Sequence, residues 1–411
     1  MCGINGIISK DKNKDKLIKS MNEKILHRGP DAEGIFVEGD VALGQRRLSI
    51  IDLAGGNQPI YNEDKSILIM YNGEVYNYKE LKEELTEYKF ETESDTEVVL
   101  HGYEEWGHDL PKKLRGMFAY AIYDKNKGEI FISRDQFGIK PLYYYHDGDT
   151  ILFGSEIKSF LAYPKFKKVL NKELLGAYLT FSFTPTDETF FKGVYRLPSG
   201  HSMTIDVKKR KIKIDRYFKV EFGNTDKSFD EVVKDISTAM KDSTEHHLIS
   251  DVEVGSFLSS GVDSSYLVSL AKPDKTYTIG FDLAKYSEID YAKDLTDKLN
   301  IKNISEKISK EEYMNALSEV YYHMDEPTAD GCAIAVYFLS RLASKDVKVV
   351  LSGEGADEFF GGYNSYDDNF YTKLPFFIRK SMASICKILP KNKITRYIIR
   401  RGLPLEESYV S

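Results

Sequence analysis

The spacing of apolar residues changes character once along this 411-residue chain, and that change limits the fold to two units of different kinds. Before residue 222, short apolar runs predict strands at 3–8, a pair between 33 and 52, and further strands at 67–71, 117–123, 129–133, 142–146 and 151–155. Helical spacing is confined to 16–26, 78–87 and 95–106, the last opened by Ser94 or Asp95 as N-cap. Many strands and few helices, without strict βαβ alternation, predict layered sheets flanked by helices. A hairpin with a basic turn at 208–211 ends near Phe218, and the polar stretch 222–228 reads as a linker. Beyond it, helix 229–248, strand 252–258, helix 264–271, strand 276–281, helix 288–299, strand 304–308, two helices and strand 347–351 follow one another. That alternation predicts a parallel, doubly wound sheet. Residues 373–401 carry nine Lys and Arg and no acid, interleaved with apolar residues, and predict an amphipathic helix with a solvated basic face. The expected domains are 2–220 and 229–411.

Composition narrows the function classes. With 57 Lys and Arg against 64 Asp and Glu, the net charge of −7 lacks the basic footprint of bulk nucleic-acid binding. A content of 42% hydrophobic and 29% charged residues suits a globular chain with ample core. No stretch approaches the roughly 18 apolar residues of a membrane span. The N-terminus turns charged at Lys10 before an apolar segment of signal-peptide length develops. A cytoplasmic protein with neither nucleic-acid nor membrane partner is expected. Three cysteines, Cys2, Cys332 and Cys386, are too few and too scattered for a disulfide framework or a zinc site.

Cys2 is distinguished by its position. Removal of Met1 would put a thiol and a free α-amino group on one residue, and an amine titrating around 7.7 to 8.0 can take the thiol proton directly or through water. Alone, Cys2 reads better as a small residue opening a strand. Its surroundings reverse that reading.

Met1-Cys-Gly-Ile-Asn-Gly6, His27-Arg-Gly-Pro-Asp31, Arg47-Leu-Ser-Ile-Ile-Asp52, Tyr71-Asn-Gly-Glu-Val-Tyr-Asn77 and Ser94-Asp-Thr-Glu97 together resemble the class II glutamine amidotransferase domain, an N-terminal-nucleophile (Ntn) hydrolase with an αββα sandwich. Each piece alone is weak; five in order over about a hundred residues are highly specific. Glutamine is a zwitterion with a neutral amide, so its site needs a cation, an anion and an oxyanion hole. The resemblance implies that Cys2 is the nucleophile, that Arg47 takes the α-carboxylate as a forked donor, and that Asp95 with Glu74 takes the α-ammonium. It implies that Ile50 lines the slot and that Asn72 and the backbone N–H of Gly73 stabilise the oxyanion. Plain structural alternatives stay open: Arg47 as a surface ion pair, Asn72-Gly73 as a hairpin turn, Asp95 as a helix N-cap.

Ser259-Ser-Gly-Val-Asp-Ser-Ser265 lies between a predicted strand and a predicted helix, where a small-residue loop leaves backbone N–H groups free for polyphosphate. It is no Walker-type loop. It resembles the PP-loop of ATP pyrophosphatases, in the adenine-nucleotide α-hydrolase-like fold, with Ser260 replacing a glycine. Leu351-Ser-Gly-Glu-Gly-Ala-Asp-Glu358 resembles the second nucleotide motif of asparagine synthetases. The resemblance implies that Ser259, Gly261, Asp263 and Ser264 form the ATP loop and that Leu258, Ile279, Ser352 and Gly353 contact adenosine. It implies that Asp263 and Asp357 hold Mg²⁺ and that Glu354 supports acyl-adenylate chemistry. Glu358 reads as a solvated helix-start acid. Asp325-Glu-Pro-Thr-Ala-Asp330 also fits the family, with a helix end before Pro327 as the competing reading.

A glutaminase domain followed by a PP-loop domain resembles the type B family of glutamine-hydrolysing asparagine synthetases over nearly the whole chain. The implied substrates are glutamine, aspartate and ATP, with Mg²⁺, and the implied intermediate is β-aspartyl-AMP attacked by ammonia passing between domains. A homodimer is compatible with it. Two rivals stay open: an amide ligase of the same architecture acting on another carboxylate, which the intact Cys2 set argues against, and a chain retaining only glutaminase activity. The family continues well past the 351–358 run and takes a synthetase lysine from there, so glutamine hydrolysis with impaired synthesis is expected.

Overall fold

The structure, a computed structural model, describes residues 1–282, 287–328, 331–363 and 373–403. The N-terminal unit comprises β1 (Gly3–Ile8), α1 (Lys14–Lys24), β2 (Ala32–Glu38), β3 (Val41–Arg47), β4 (Ile60–Tyr61), β5 (Ile67–Val75), α2 (Tyr78–Glu84), α3 (Asp95–Trp106), β6 (Gly116–Asp124), β7 (Glu129–Arg134), β8 (Tyr143–His146), β9 (Ile151–Gly154), α4 (Leu175–Phe181), β10 (Val194–Arg196), β11 (His201–Asp206) and β12 (Lys211–Arg216). The strands form two six-stranded sheets, ordered β10-β8-β9-β1-β3-β2 and β12-β11-β7-β6-β5-β4.

Period-two alternation decides what each face does. In β1, Ile4 and Ile8 enter the core between the sheets while Ile7 points outward to Ile18 and Met21 of α1. In β5, Leu68 and Met70 face that same inter-sheet core, whereas Ile69, Tyr71 and Val75 pack under Leu81 of α2 and Val98, Val99 and Tyr103 of α3. Two sheets face to face with helices on both outer surfaces make the αββα sandwich of Ntn hydrolases.

The C-terminal unit contains α5 (Phe229–His247), β13 (Val254–Phe257), α6 (Val262–Ala271), β14 (Lys275–Phe281), α7 (Ile289–Leu299), β15 (Lys302–Ile308), α8 (Lys310–Met324), α9 (Cys332–Ala343), β16 (Val349–Leu351), α10 (Ala356–Phe360), α11 (Phe376–Cys386) and α12 (Lys393–Arg401). Its four strands are parallel, ordered β15-β14-β13-β16. Val268 and Ala292, from α6 and α7, cover one face, and Ala316, Val320, Ile334 and Phe338, from α8 and α9, cover the other, as a doubly wound sheet requires. The chain steps outward from β13 to β15 and then returns to β16 on β13's other side. The crevice between the C-terminal ends of β13 and β16 is therefore the topological switch point, the place where such sheets bind ligands.

Two local expectations fail. The 373–401 segment is two helices, α11 and α12, because Pro390 cannot continue the first and Asn392 caps the second, exchanging hydrogen bonds with Thr395. Asn72-Gly73 is no hairpin turn: both lie inside β5, opposite Ala119 and Phe118 of β6. Glycine is required there for a steric reason, since a Cβ on Gly73 would stand 2.5 Å from the carbonyl oxygen of Met117. Ala329 and Asp330 of the 325–330 run, and the domain end at 404–411, lie outside the described residues.

Candidate active site

Asn72 and Glu74 share the parity of Leu68 and Met70, so β5 turns them toward the inter-sheet gap just where β1 begins at Gly3. Cys2 thus faces them across one end of the sandwich. Together with Arg47, Ile50, Gly73 and Asp95 they line a cavity of about 770 Å³. The Cys2 Sγ accepts a hydrogen bond from the Leu48 N–H at 3.3 Å, and the Cys2 carbonyl accepts one from Arg28 Nε at 2.9 Å. Arg47 is 4% exposed; its guanidinium donates to the carbonyls of Asp52 (2.6 Å) and Ile51 (3.1 Å) and to Asn57 Oδ1 (2.9 Å), which fixes the 48–57 loop beside the thiol.

Two features of this cavity are unsatisfied as they stand. The Asn72 Nδ2 is buried with no hydrogen-bond partner, a state that costs about 1 to 3 kcal/mol and persists in native proteins for a reason. Glu74 and Asp95 are buried carboxylates, and burial followed by the charge of Asp95 pushes Glu74 up to about 8. Burial likewise raises Asp95, against the hydrogen bonds it accepts from the Val75 N–H (2.9 Å) and Tyr71 hydroxyl (2.8 Å). Ser94 caps α3 as expected, accepting from the Thr96 N–H. Glu97 gathers the preceding loop by accepting from the N–H groups of Glu91 and Thr92. The cavity therefore offers an unused donor and a pair of carboxylates with no cation in ion-pair range among the described residues, Lys140 acting on Glu74 only from farther off.

In the C-terminal unit, Leu258, Ser259, Gly261, Asp263, Ser264, Ile279, Ser352, Gly353, Glu354 and Asp357 all line one pocket at the β13–β16 switch point. The Ser259–Ser264 loop is internally tied: the Ser259 N–H donates to Ser264 Oγ (3.2 Å) and the Gly261 N–H to Ser259 Oγ (3.1 Å). Gly353 brings the second loop against the first, where a Cβ would lie 3.0 Å from the Ser264 nitrogen. Among the described residues, no cation lies within ion-pair distance of Asp263, Glu354 or Asp357.

Residues 1–218 match the glutamine amidotransferase domain family and residues 235–400 the asparagine synthase family. Over its full length the chain is 42% identical to asparagine synthetase [glutamine-hydrolyzing] 1 of Bacillus subtilis, of which it covers 67%. The chain belongs to the glutamine-hydrolysing asparagine synthetase family. It is also 37% identical over 92% of its length to a putative family member of Methanocaldococcus jannaschii, of which it covers 79%, and 37% identical over 93% of its length to one of Mycobacterium bovis, of which it covers 63%. The chain thus spans between about three fifths and four fifths of the length of these asparagine synthetases. No described helix is long and apolar enough to cross a membrane.

Several residues at the two sites of this asparagine synthetase family member escape sequence reasoning. Lys140 is 4% exposed and lines the Cys2 cavity, its Nζ 3.2 Å from Met1 Sδ, with no carboxylate in ion-pair range among the described residues. Burial brings its amine down to about 8. Glu288 lines the nucleotide pocket and accepts from Ser260 Oγ at 2.6 Å. Glu358, read as a merely solvated acid, also lines that pocket and accepts from the Tyr363 hydroxyl. Glu358 at least ends the 351–358 run, whereas Lys140 and Glu288 carry no local signature and only the topology brings them in. Asp325 follows the end of α8, as the helix-end reading has it, yet its carboxylate is engaged across the domain boundary by Lys158.

Proposed function

We propose that this chain couples hydrolysis of glutamine at Cys2 to ATP-dependent amidation of the aspartate β-carboxylate in the C-terminal domain. The observation that carries the reading is the continuity of the Cys2 cavity, whose far wall is formed by Ser340, Ala343, Val347 and Val350 of the nucleotide domain. Ammonia released at Cys2 therefore forms in a cavity that residues of both domains line.

Burial holds the terminal amine down to about 5, with Arg28 and Lys140 lowering it further against the pull of Cys2. That amine is the one on Met1; once Met1 is removed, the free α-amine of Cys2 lies on the same residue as the thiol and can accept its proton. The sulfur, received by the Leu48 N–H, attacks the glutamine amide carbon. Asn72 Nδ2 and the Gly73 N–H take the oxyanion, the proton returns to the leaving ammonia, and water releases glutamate from the thioester. Arg47 orients the α-carboxylate, Glu74 and Asp95 the α-ammonium, and Ile50 bounds the slot.

In the switch-point pocket, Ser259, Gly261 and Ser264 at the start of α6 hold phosphates, while Leu258, Ile279, Ser352 and Gly353 hold the nucleoside. Asp263 and Asp357, carboxylates with no cation in ion-pair range among the described residues, fit Mg²⁺, which when bound offsets the polyphosphate charge. Glu354, which lines the same pocket, supports the step in which the aspartate carboxylate attacks the α-phosphorus of ATP and displaces pyrophosphate to give β-aspartyl-AMP. Incubation with glutamine, ATP, Mg²⁺ and aspartate should yield glutamate, and whatever asparagine forms beside it, little by the expectation above, should be matched by AMP and pyrophosphate. Asparagine absent while another acid is amidated would move the chain to a different ligase specificity.

Glutamine affinity should depend on pH through Glu74. Its carboxyl titrates at about 8 in the free site, so below that pH it must lose a proton before it can pair with the substrate ammonium. The sign follows: KM for glutamine falls as pH rises from 6 toward 8, by about tenfold per unit at the acid end for one linked proton. Glu74→Gln should flatten that slope, and a slope left intact in the variant would assign the proton elsewhere.

A further inference from the structure

The Cys2 carbonyl is the end of a buried chain of charges that starts in the other domain. Arg28 Nε donates to that carbonyl at 2.9 Å, and Arg28 Nη1 meets Glu156 Oε1 at 3.0 Å. His27 Nε2 meets the same oxygen at 2.9 Å. The other Glu156 oxygen is bound by Lys158 Nζ, which also reaches Asp325 Oδ1 at 2.9 Å. Asp325 Oδ2 accepts from the Ile157 N–H at 2.5 Å. The four side chains are 9%, 8%, 3% and 6% exposed in order from Arg28 to Asp325, so none is a surface ion pair.

The charges balance only across the boundary. Within the N-terminal domain, Arg28 and Lys158 share one carboxylate, Glu156; Asp325 supplies the second. Asp325 also sits at φ +60, a left-handed conformation that a non-glycine residue keeps only when its surroundings over-determine it. The next residue, Glu326, is docked separately, by Arg196 at 2.7 Å and the Phe190 N–H at 3.1 Å, and that contact does not lead to Cys2. Both carboxylates lie at the exit of α8, and further along the chain α9 lines the nucleotide pocket with Val336 and Leu339 and walls the Cys2 cavity with Ser340 and Ala343.

We propose that Asp325 of the C-terminal domain is a positioning residue for the glutaminase nucleophile, acting through Lys158, Glu156 and Arg28 on the Cys2 carbonyl. This rests on Cys2 being that nucleophile. The place of Cys2 relative to Asn72 is then set partly by the nucleotide domain, so a shift of Asp325 at the end of α8 reaches the thiol without any contact to glutamine. Small displacements of a nucleophile carry large rate penalties, on the order of a hundredfold for 1 Å.

The test is glutamine hydrolysis by the full chain, with kcat and KM separated. Asp325→Asn should lower kcat about tenfold or more with KM for glutamine within twofold, and Asp325→Glu should recover most of the loss. Glu326→Gln, which loosens docking alone, should stay within twofold of the parent. Replacing a buried ion pair by apolar residues is often neutral for folding, so Lys158→Met with Asp325→Leu keeps the question open even where Asp325→Asn does not fold; it should show the same loss of kcat. Parental kcat in that double variant, or an equal loss in Glu326→Gln, overturns the relay. Hydrolysis surviving in Cys2→Ala would instead overturn the nucleophile assignment, which keeps the two failures apart.

Discussion

Cys2→Ala should reduce glutamine hydrolysis to background, a loss of ~10⁴ to 10⁶ in kcat, the scale on which removal of a covalent nucleophile acts. Among the described residues that line the cavity, Cys2 is the only thiol, and the proposed roles of Arg47, Glu74 and Asp95 are to hold the substrate's α-groups rather than to attack its amide. Nucleotide binding should be unchanged, since Cys2 does not line the switch-point pocket. Mass measurement should find Met1 removed in the active protein, because a retained Met1 converts the Cys2 amine into an amide that cannot take a proton. Glutamine turnover within tenfold of the parent in the variant would refute the assignment.

What the sequence makes legible is whatever depends on near neighbours. The strand at 3–8, the Ser94 cap and the alternation beyond 229 follow from period, capping chemistry and chain order, and the structure contains each of them. The two phosphate-type loops are also local, and it is the crossover from β15 back to β16 that brings Ser259 and Ser352 to one pocket. Asn72-Gly73 misleads because a dipeptide with turn propensity is overridden by its ladder with β6, and the reason for Gly73 lies on Met117, 44 positions away. The break at Pro390 was available to inspection and outweighs the continuous basic pattern around it. Asp325 is different: its helix-end role is local, while its partner Lys158 is 167 residues earlier and has no signature of its own. Lys140 is invisible for the same reason.

The unpaired amide of Asn72 leads to a prediction in which stability and catalysis separate. A buried donor with no partner contributes nothing to holding the free protein together and costs desolvation instead. A structural asparagine would behave the other way, its loss lowering Tm first. Asn72 is 1% exposed and its Nδ2 has no protein partner, which leaves that donor for an acceptor beside Cys2. A donor that is idle in the ground state and used by a developing oxyanion acts on kcat rather than on KM. Asn72→Ala is therefore expected to cost ~10² to 10³ in kcat for glutamine hydrolysis, as loss of one oxyanion-hole donor does, with KM within threefold and Tm within a few degrees of the parent. Asn72→Asp should be as damaging, because a carboxylate at that position opposes the charge the site must stabilise. A variant that melts early while turning over glutamine at the parental rate would make Asn72 a structural residue of β5 and leave the oxyanion to other donors.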